Sequence, residues 1–163
     1  MTENTVEYEP IGVIRTPFDS PEGMPIQPGG AEDAVGTVSV ADSYEPALRD
    51  LSGFSHCLLV YHFHRSEEPE SLQVEPFLDD TERGLFATRA PRRPNPIGLS
   101  VVEIESVSGT EVTVNGIDVV DGTPLLDIKP YVPAFDRPAH VESGWIAESD
   151  SRVDETRADD RFL

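Results

Sequence analysis

The chain has 163 residues, of which 31 are acidic and 12 basic, so that its formal net charge is −19. This length suits one domain with a hydrophobic core, and no apolar run approaches the roughly 20 residues of a membrane-spanning helix. The first residues lack the basic and then apolar profile of a secretory signal, and a single cysteine excludes an internal disulfide. These features predict a single-domain cytoplasmic protein.

The charge is unusual in its composition. Eleven of the 12 basic residues are arginine, and only Lys129 is a lysine. An acidic surface nearly without lysine suits a very salty cytoplasm, where net charge keeps the chain dispersed despite strong screening. This favours a halophilic, haloarchaeal source over an ordinary acidic protein. The excess of negative charge also argues, on its own, against a nucleic-acid partner.

Short extended runs between prolines and glycines predict strands rather than long helices. The predicted strands are 11–15, 35–40, 58–64, 99–107, 112–114, 117–120 and 125–129. Many short strands at near-regular spacing favour a mainly-β barrel or sandwich.

One helix is predicted between strands, with Asp42 or Ser43 as its cap and Gly53 at its end. Its apolar face would consist of Tyr44, Ala47, Leu48 and Leu51. Residues 138–163 form an acidic tail with Trp145 and Ile146 as its main apolar anchors, and we expect it to be partly helical and packed on the same domain.

The most unusual segment is 81–98, which has four arginines and one acid, a local charge of +3. Arg89, Arg92 and Arg93 stand among three prolines, which stiffen the loop. A rigid loop of guanidinium groups can bind phosphates or carboxylates bidentately. Each arginine alone is better explained by pairing with a surface acid, but three on one loop favour a polyanion or nucleotide site.

Two further segments contain polar residues inside apolar runs. His56, His62 and His64 share one strand face, where a His-x-His pair can bind a metal, although a core or pocket-lining role is favoured. Asp127 and Lys129 have the same parity on the last predicted strand and could form an ion pair. From the residues alone, the sequence indicates a β-rich domain with a small-molecule or nucleotide cleft.

Several ordered motifs then resemble one family. They are Ile-Gly-Val-Ile-Arg-Thr-Pro-Phe from Ile11, Gly-Phe-Ser-His from Gly53, Phe-His from Phe63, Ala-Thr-Arg-Ala-Pro-Arg-Arg-Pro-Asn-Pro-Ile-Gly-Leu-Ser from Ala87, and Asp-Gly-Thr-Pro-Leu-Leu-Asp-Ile-Lys-Pro-Tyr from Asp121. Across residues 11–136 the chain resembles the TrmO (TsaA-like or YaeB-like) family of S-adenosylmethionine-dependent tRNA adenosine N6-methyltransferases.

The resemblance implies a compact, single-domain, non-Rossmann β-barrel with one or two short helices, which binds S-adenosylmethionine and forms a homodimer. It implies methylation of N6 of N6-threonylcarbamoyladenosine at position 37, in the anticodon loop of threonine tRNA. We expect a methyltransferase domain over 1–137, with the tail over 138–163. The alternatives are a non-catalytic S-adenosylmethionine- or nucleotide-binding module and, less favoured, a metal-dependent hydrolase using His56, His62 and His64.

The resemblance also implies site residues. Its cofactor-binding positions are Pro25, Ile26, Gln27, His64, Arg65, Arg89, Leu99, Asp121, Gly122, Thr123 and Pro124. Ile26 and Arg65 replace an arginine and a glutamine of bacterial relatives. We expect Arg92, Arg93 and Lys129 to contact the tRNA, and Asp127, Asn95 or Tyr131 to accept the proton from N6, with none of the three singled out.

Overall fold

The computed structural model describes residues 4–20, 34–76 and 80–147. The strands in this part of the chain are β1 (Gly12–Arg15), β2 (Val35–Val40), β3 (His56–His62), β4 (Gln73–Val74), β5 (Arg83–Gly84), β6 (Ile97–Ser108), β7 (Glu111–Asn115) and β8 (Thr123–Pro130). Six of them close into an antiparallel barrel in the order β1-β2-β7-β6-β3-β8, and β4 pairs with β5 separately. The predicted β-barrel is therefore confirmed.

Alternation along the strands fills the interior of the barrel. In β3, Cys57, Leu59 and Tyr61 are buried while their neighbours are more exposed. The same alternation, with every second residue facing inward, buries Val38 and Val40 of β2 and Val112 and Val114 of β7. The fully buried apolar side chains include Ile14, Val38, Leu59, Leu85, Val102, Val112, Val114, Ile117 and Leu125. Burying each contributes about 1.5–3 kcal/mol relative to exposure, so this interior is the main source of stability.

The predicted capped helix after β2 is wrong in type. The segment forms two 3₁₀ helices, Asp42–Leu48 and Leu51–Gly53, and Ala41 precedes the first without a side-chain cap. Asp50 between them has a φ of 70°, a left-handed conformation that interrupts any continuous helix. Leu48 and Leu51 are buried as expected, whereas Tyr44 and Ala47 are exposed.

The predicted strand at 117–120 is also wrong, because this segment is an irregular connection between β7 and β8. Ile117 and Val119 are nevertheless part of the core. Their backbone groups bond to loops, since the Ile117 amide donates to the Ala34 carbonyl and the Val119 carbonyl accepts from the Thr16 hydroxyl. The apolar run correctly indicated burial, but burial does not require a sheet partner.

A short helix, α1 (Pro133–Asp136), follows β8. Beyond it, a single 3₁₀ turn covers residues 144–147. Trp145 in this turn donates from Nε1 to the Ala87 carbonyl at 2.8 Å, and the Arg83 guanidinium lies 5.7 Å from the centre of its ring. Among the residues described, no helix is long and apolar enough to cross a membrane.

Candidate functional site at one end of the barrel

The barrel topology brings four distant segments to one end. Because neighbouring strands are antiparallel, the ends of β1 and β3 lie beside the starts of β6 and β8. The register pairs are Ile14 with Thr123, Tyr61 with Leu125 and His62 with Ile97. Residues after β1, after β3, before β6 and before β8 therefore meet there, and we call this the loop end of the barrel.

The loop before β8 is fixed by the segment after β1. Asp121 accepts a hydrogen bond from the Thr16 amide at 3.1 Å, and its own amide donates to the Phe18 carbonyl at 2.7 Å. Arg15 lies 3.9 Å from the Asp121 carboxylate. Thr123 is buried and its hydroxyl donates to the Val120 carbonyl at 2.6 Å. The predicted turn at 121–124 thus includes the first two residues of β8.

A chain of three polar side chains enters the barrel at this end. The Ser100 hydroxyl donates to the Asp118 carboxylate at 2.6 Å, and the Tyr61 and Ser100 hydroxyl oxygens are 2.8 Å apart. Tyr61 and Ser100 are almost completely buried. We call this group the polar chain. In a mainly apolar interior, these hydrogen bonds offset the cost of burying polar groups.

Burial governs the acid–base behaviour of the polar chain. It raises the pKa of Asp118 to about 6, opposed by the hydrogen bonds from Ser100 and from its own backbone and by the positive charge of Arg89. The pKa of Tyr61 is also raised, first by burial and then by the Asp118 charge. Sequence reasoning missed this group. The available signal was a serine at an inward-facing position of β6, between Gly98 and Val102.

Arg92 and Arg93, in the arginine-rich segment, contact other groups of the protein. The Arg92 side chain is only 14% exposed and lies 3.4 Å from Glu67 and 3.6 Å from Glu70. Arg93 donates from one terminal nitrogen to the carbonyls of Thr88 and Ala90, both at 3.0 Å. Arg92 is therefore paired with surface acids, which is the explanation that the sequence favoured for any single arginine. For Arg93, the contacts brace the loop itself.

The segment after β3 contacts the same end. The Phe63 amide donates to the Pro96 carbonyl at 2.8 Å, and Arg65 donates to the Asp19 carbonyl. The pKa of His64 is lowered by partial burial and then by the charges of Arg65 and His62. His64, Arg65 and the turn at Asp121 are thus all positioned at the loop end, as is Arg89, whose charge acts on Asp118.

Leu99 lies on the outside of the barrel, beside an apolar surface. Outward-facing residues of β3 and β6 pair as Val60 with Leu99 and His62 with Ile97, and Ile97 and Leu99 are 44% and 48% exposed. We define the outer apolar face as Leu58, Val60, Ile97, Leu99 and Val101. Its composition is unusual for the solvent side of a barrel strand, where polar residues are expected.

Asp127 borders the outer apolar face, opposite Val60 in the register of β3 and β8. Lys129 lies 3.0 Å from the Asp127 carboxylate, which confirms the predicted ion pair. Tyr131 lies beyond the other end of β8, where its ring centre is 6.3 Å from that of His56. Asn95 lies in the loop before β6 and its carbonyl accepts from the Ile97 amide at 2.7 Å. The fold of this chain does not bring these three proton-acceptor candidates together.

The three histidines do not form one site. His56 and His62 are the first and last residues of β3, and the six residue-to-residue steps between them span roughly 20 Å. Within residues 4–20, 34–76 and 80–147, no group of three or more His, Cys, Asp or Glu side chains could bind a metal ion. A hydrolase using all three histidines has no geometric basis. Pro25, Ile26 and Gln27 lie outside the described residues.

The sequence and fold match known proteins over most of the chain. The family model for the tRNA-methyltransferase O N-terminal domain matches residues 13–137. A probable S-adenosyl-L-methionine-binding protein of Pyrococcus abyssi is 46% identical over 156 residues, covering 96% of this chain and 84% of its own. A tRNA (adenine(37)-N6)-methyltransferase of Rattus norvegicus is 36% identical over 82% of this chain and 32% of its own.

A solved structure gives the same result for the fold. The crystal structure of TrmO from Pseudomonas aeruginosa superposes with a TM-score of 0.73 and 38% identity, over 86% of this chain and 62% of the solved chain. This chain therefore spans less than two thirds of that protein and about a third of the rat enzyme.

Proposed function

We propose that this chain, which belongs to the tRNA-methyltransferase O family, is an S-adenosylmethionine-dependent tRNA methyltransferase. The observation that carries the proposal is the meeting of family motifs at the loop end, where segments up to 105 residues apart in sequence contact each other through Thr16 and Asp121. The substrate is N6-threonylcarbamoyladenosine at position 37 of threonine tRNA, and the methyl group is transferred to its N6 nitrogen.

The residues at the loop end fit the cofactor. S-adenosylmethionine has a carboxylate, cationic amino and sulfonium groups, and an adenosine with hydroxyls and a flat ring. Arg65 and Arg89 can bind the carboxylate, Asp121 can accept from amino or hydroxyl groups, and Leu99 offers an apolar contact. The carboxylate of Asp121 is held in place by the Thr16 amide, which limits the ordering needed on binding. When bound, the cofactor supplies an electrophilic methyl group.

The protein contributes orientation and a proton acceptor. Methyl transfer requires the nucleophile in line with the methyl group, so rigid placement of the adenosine supplies most of the acceleration. The N6 nitrogen must also lose a proton, and an acceptor within hydrogen-bond distance assists this step. Asp127 and Asn95 are the candidates on the loop-end side of β8 and β6. The Asp127 carboxylate is already oriented by Lys129 and by the amide of Ile128.

We propose that Arg92, Arg93 and Lys129 contact the tRNA, although all three already have partners within the chain. Guanidinium groups have five donors, so an arginine bonded to carbonyls or acids can still meet a phosphate. Splayed bases of an anticodon loop can be contacted on their faces and edges, unlike those in a stem. In this interpretation the +3 charge of segment 81–98 is a local exception to the −19 of the whole chain.

We propose further that the chain forms a homodimer through the outer apolar face. Ile97 and Leu99 remain about half exposed in one protomer, and association would remove them from water. Tyr131 supports this arrangement, because eight residues of β8 separate it from the turn at Asp121 by roughly 25 Å. It can reach a loop-end site only from the partner protomer.

The domain and the cellular setting follow the same proposal. We propose that residues 1–137 form the methyltransferase domain and 138–163 an acidic tail; the described part of that tail contacts the domain, since Trp145 donates to the Ala87 carbonyl. The acidic, lysine-poor surface suits a halophilic cytoplasm, where the tRNA substrate is also found.

The decisive experiment measures methyl transfer from labelled S-adenosylmethionine at multimolar KCl. Threonine tRNA with and without the threonylcarbamoyl group is compared, and nucleoside mass spectrometry identifies the product. Cofactor binding without transfer to any tRNA would instead favour a non-catalytic binding module. Asp121→Asn should weaken cofactor binding, measured by calorimetry, whereas the exposed Asp42→Asn serves as a matched control with unchanged affinity.

The dimer is tested separately by light scattering after chromatography. Val101→Asp places a charge on the outer apolar face and should halve the molar mass. Thr113→Asp, an outward position on β7, should leave it unchanged. A monomeric wild-type protein at assay concentration would refute the dimer without touching the proposed activity.

A further inference from the structure

An exposed aromatic side chain precedes the arginine-rich loop. Phe86 is 78% exposed, whereas its neighbour Leu85 is 2% exposed. A single exposed phenylalanine is not unusual in a soluble protein. Phe86 is distinguished by the fixed backbone around it and by the cation over its ring.

The backbone on both sides of Phe86 is anchored. The Leu85 amide donates to the Leu72 carbonyl at 2.8 Å, and the Thr88 hydroxyl donates to the Leu85 carbonyl at 2.8 Å. The carbonyl of Ala87 accepts from Trp145 at 2.8 Å. Because its neighbours are held, Phe86 has little freedom to turn toward the core, and its ring is presented to solvent.

A guanidinium group is held over the ring of Phe86. The Arg93 guanidinium carbon lies 6.0 Å from the ring centre of Phe86. One terminal nitrogen of Arg93 donates to the Thr88 and Ala90 carbonyls, both at 3.0 Å, so the cation is held by the loop that also holds the ring. Unstacked bases of single-stranded RNA stack on aromatic rings and on the planes of arginine guanidinium groups.

We propose that Phe86 and Arg93 form a stacking platform for one unpaired nucleobase of the RNA substrate. The inference rests on the proposed tRNA substrate and adds a base contact to the expected phosphate contacts. The positive charge of segment 81–98 complements the RNA backbone on either side of that base. The ligand is a nucleobase in a single-stranded loop, with little preference for its identity, because every base has a flat face.

The platform also suits a protein adapted to high salt. Phosphate contacts lose affinity steeply as salt rises, because less is gained from counterion release. Stacking depends on apolar area and dispersion, which salt does not screen. The Phe86 contribution should therefore persist at multimolar KCl, where the arginine contributions diminish.

The test uses the full chain and an RNA hairpin of the threonine anticodon stem and loop, with 2-aminopurine at one loop position at a time. Stacking on Phe86 should quench the fluorescence at one position. Phe86→Ala should abolish that quenching and weaken RNA binding roughly tenfold, by the same factor at low and high KCl. Phe86→Tyr should retain both signals. Phe135→Ala is the matched control, because Phe135 is 82% exposed on α1, and it should change neither.

Each contrary result has a distinct meaning. RNA binding by Phe86→Ala equal to that of an active wild type would refute the platform and leave the proposed function standing. Full affinity in Phe86→Leu would show an apolar contact without stacking, and a changed molar mass in Phe86→Ala would show a contact between protomers; both refute the platform. A wild type that neither binds the hairpin nor methylates tRNA would refute the proposed function and the platform together.

Discussion

The two ends of β6 both require glycine, but for different physical reasons. A Cβ atom on Gly98, near the start of the strand, would lie 2.2 Å from Cε2 of Tyr61 and 2.7 Å from Cζ of Phe63. A Cβ atom on Gly109, just after the strand, would meet nothing within 4 Å, but the residue has a φ of +59°. The first glycine provides space for packed aromatic rings, and the second provides a backbone conformation for a turn.

The surroundings of the two ends differ in the same way. Near Gly98, the inward residues include the polar chain, whose hydroxyls and carboxyl fix one another's positions. Toward Gly109, β6 pairs with β7 past a bulge between Ile104 and Ser106, and the inward partners on β7 are valines. Many specific contacts therefore fix the structure of the loop end. At the other end of β6, which we call the hairpin end, the chain only has to turn from β6 into β7. Substitutions at the loop end should have larger effects.

The largest effect is expected for Gly98→Ala. Tyr61 is 4% exposed and its hydroxyl is bonded to Ser100, so its ring cannot move aside without breaking the polar chain. Overpacking of this kind should lower the free energy of unfolding by about 3 kcal/mol or more. Chemical denaturation measures it, with Gly84→Ala as the control, since a Cβ there meets nothing within 4 Å. A loss below about 1 kcal/mol at Gly98 would contradict the packing argument.

The next largest effect is a pH dependence of the free energy of unfolding, which we expect from Asp118. Its pKa is about 6 in the folded protein against an ordinary value of 3.8, so the folded state binds this proton more tightly than the unfolded chain. The resulting stabilisation is fully present below about pH 4 and is lost as the pH rises through 6. The loss amounts to about 3 kcal/mol at most, at 1.36 kcal/mol per pKa unit.

Asp118→Asn isolates this contribution. The difference in the free energy of unfolding between wild type and Asp118→Asn should shift against the wild type between pH 4 and pH 7. Other carboxylates cancel in the difference, because both proteins contain them. A difference that is flat across this range would mean that Asp118 is not coupled to folding as its burial indicates.

A smaller effect is expected for Ser100→Ala. The substitution removes the hydroxyl that joins Tyr61 to Asp118 and should cost about 1–3 kcal/mol, because buried polar groups lose a partner. Since the Ser100 hydrogen bond lowers the pKa of Asp118, its loss should also move the midpoint of the pH dependence upward. Ser108→Ala, exposed at the other end of β6, should change the stability by less than about 0.5 kcal/mol. Equal losses of stability at Ser100 and Ser108 would mean that the two ends of β6 do not differ in how strongly their contacts stabilise the barrel.

Side-chain alternation predicted the strands where it was clean, and the family resemblance predicted that they form a barrel. The second strand was predicted at its observed bounds, Val35–Val40, because small and β-branched residues alternate between core and surface there. The predicted helix and the predicted strand at 117–120 were wrong where local signals compete. Pro46 and the left-handed Asp50 override an amphipathic pattern, and a buried connection has the same composition as a strand.

The candidate site was predictable in its motifs but not in its geometry. The family motifs pointed to Arg89 and Asp121, which lie at the loop end of the barrel. That Tyr131 lies at the opposite end depends on strand register, which motif spacing does not contain. Asp118 was missed because a carboxylate in a loop gives no sequence signal of burial. Only the contact with Ser100, 18 residues earlier, reveals it.

The smallest effect is expected for Gly109→Ala, at the hairpin end. No neighbouring atom has to move, so the cost is the strain of placing a side chain at a φ of +59°, about 1 kcal/mol. Gly109→Asn should cost less, because asparagine tolerates this conformation better than alanine. Both are measured by the same denaturation experiment as Gly98→Ala, and neither should alter cofactor affinity, since Gly109 lies at the far end of β6 from Asp121. A loss at Gly109 as large as that at Gly98 would mean that closing the β6–β7 hairpin constrains the barrel as strongly as the packing around Tyr61.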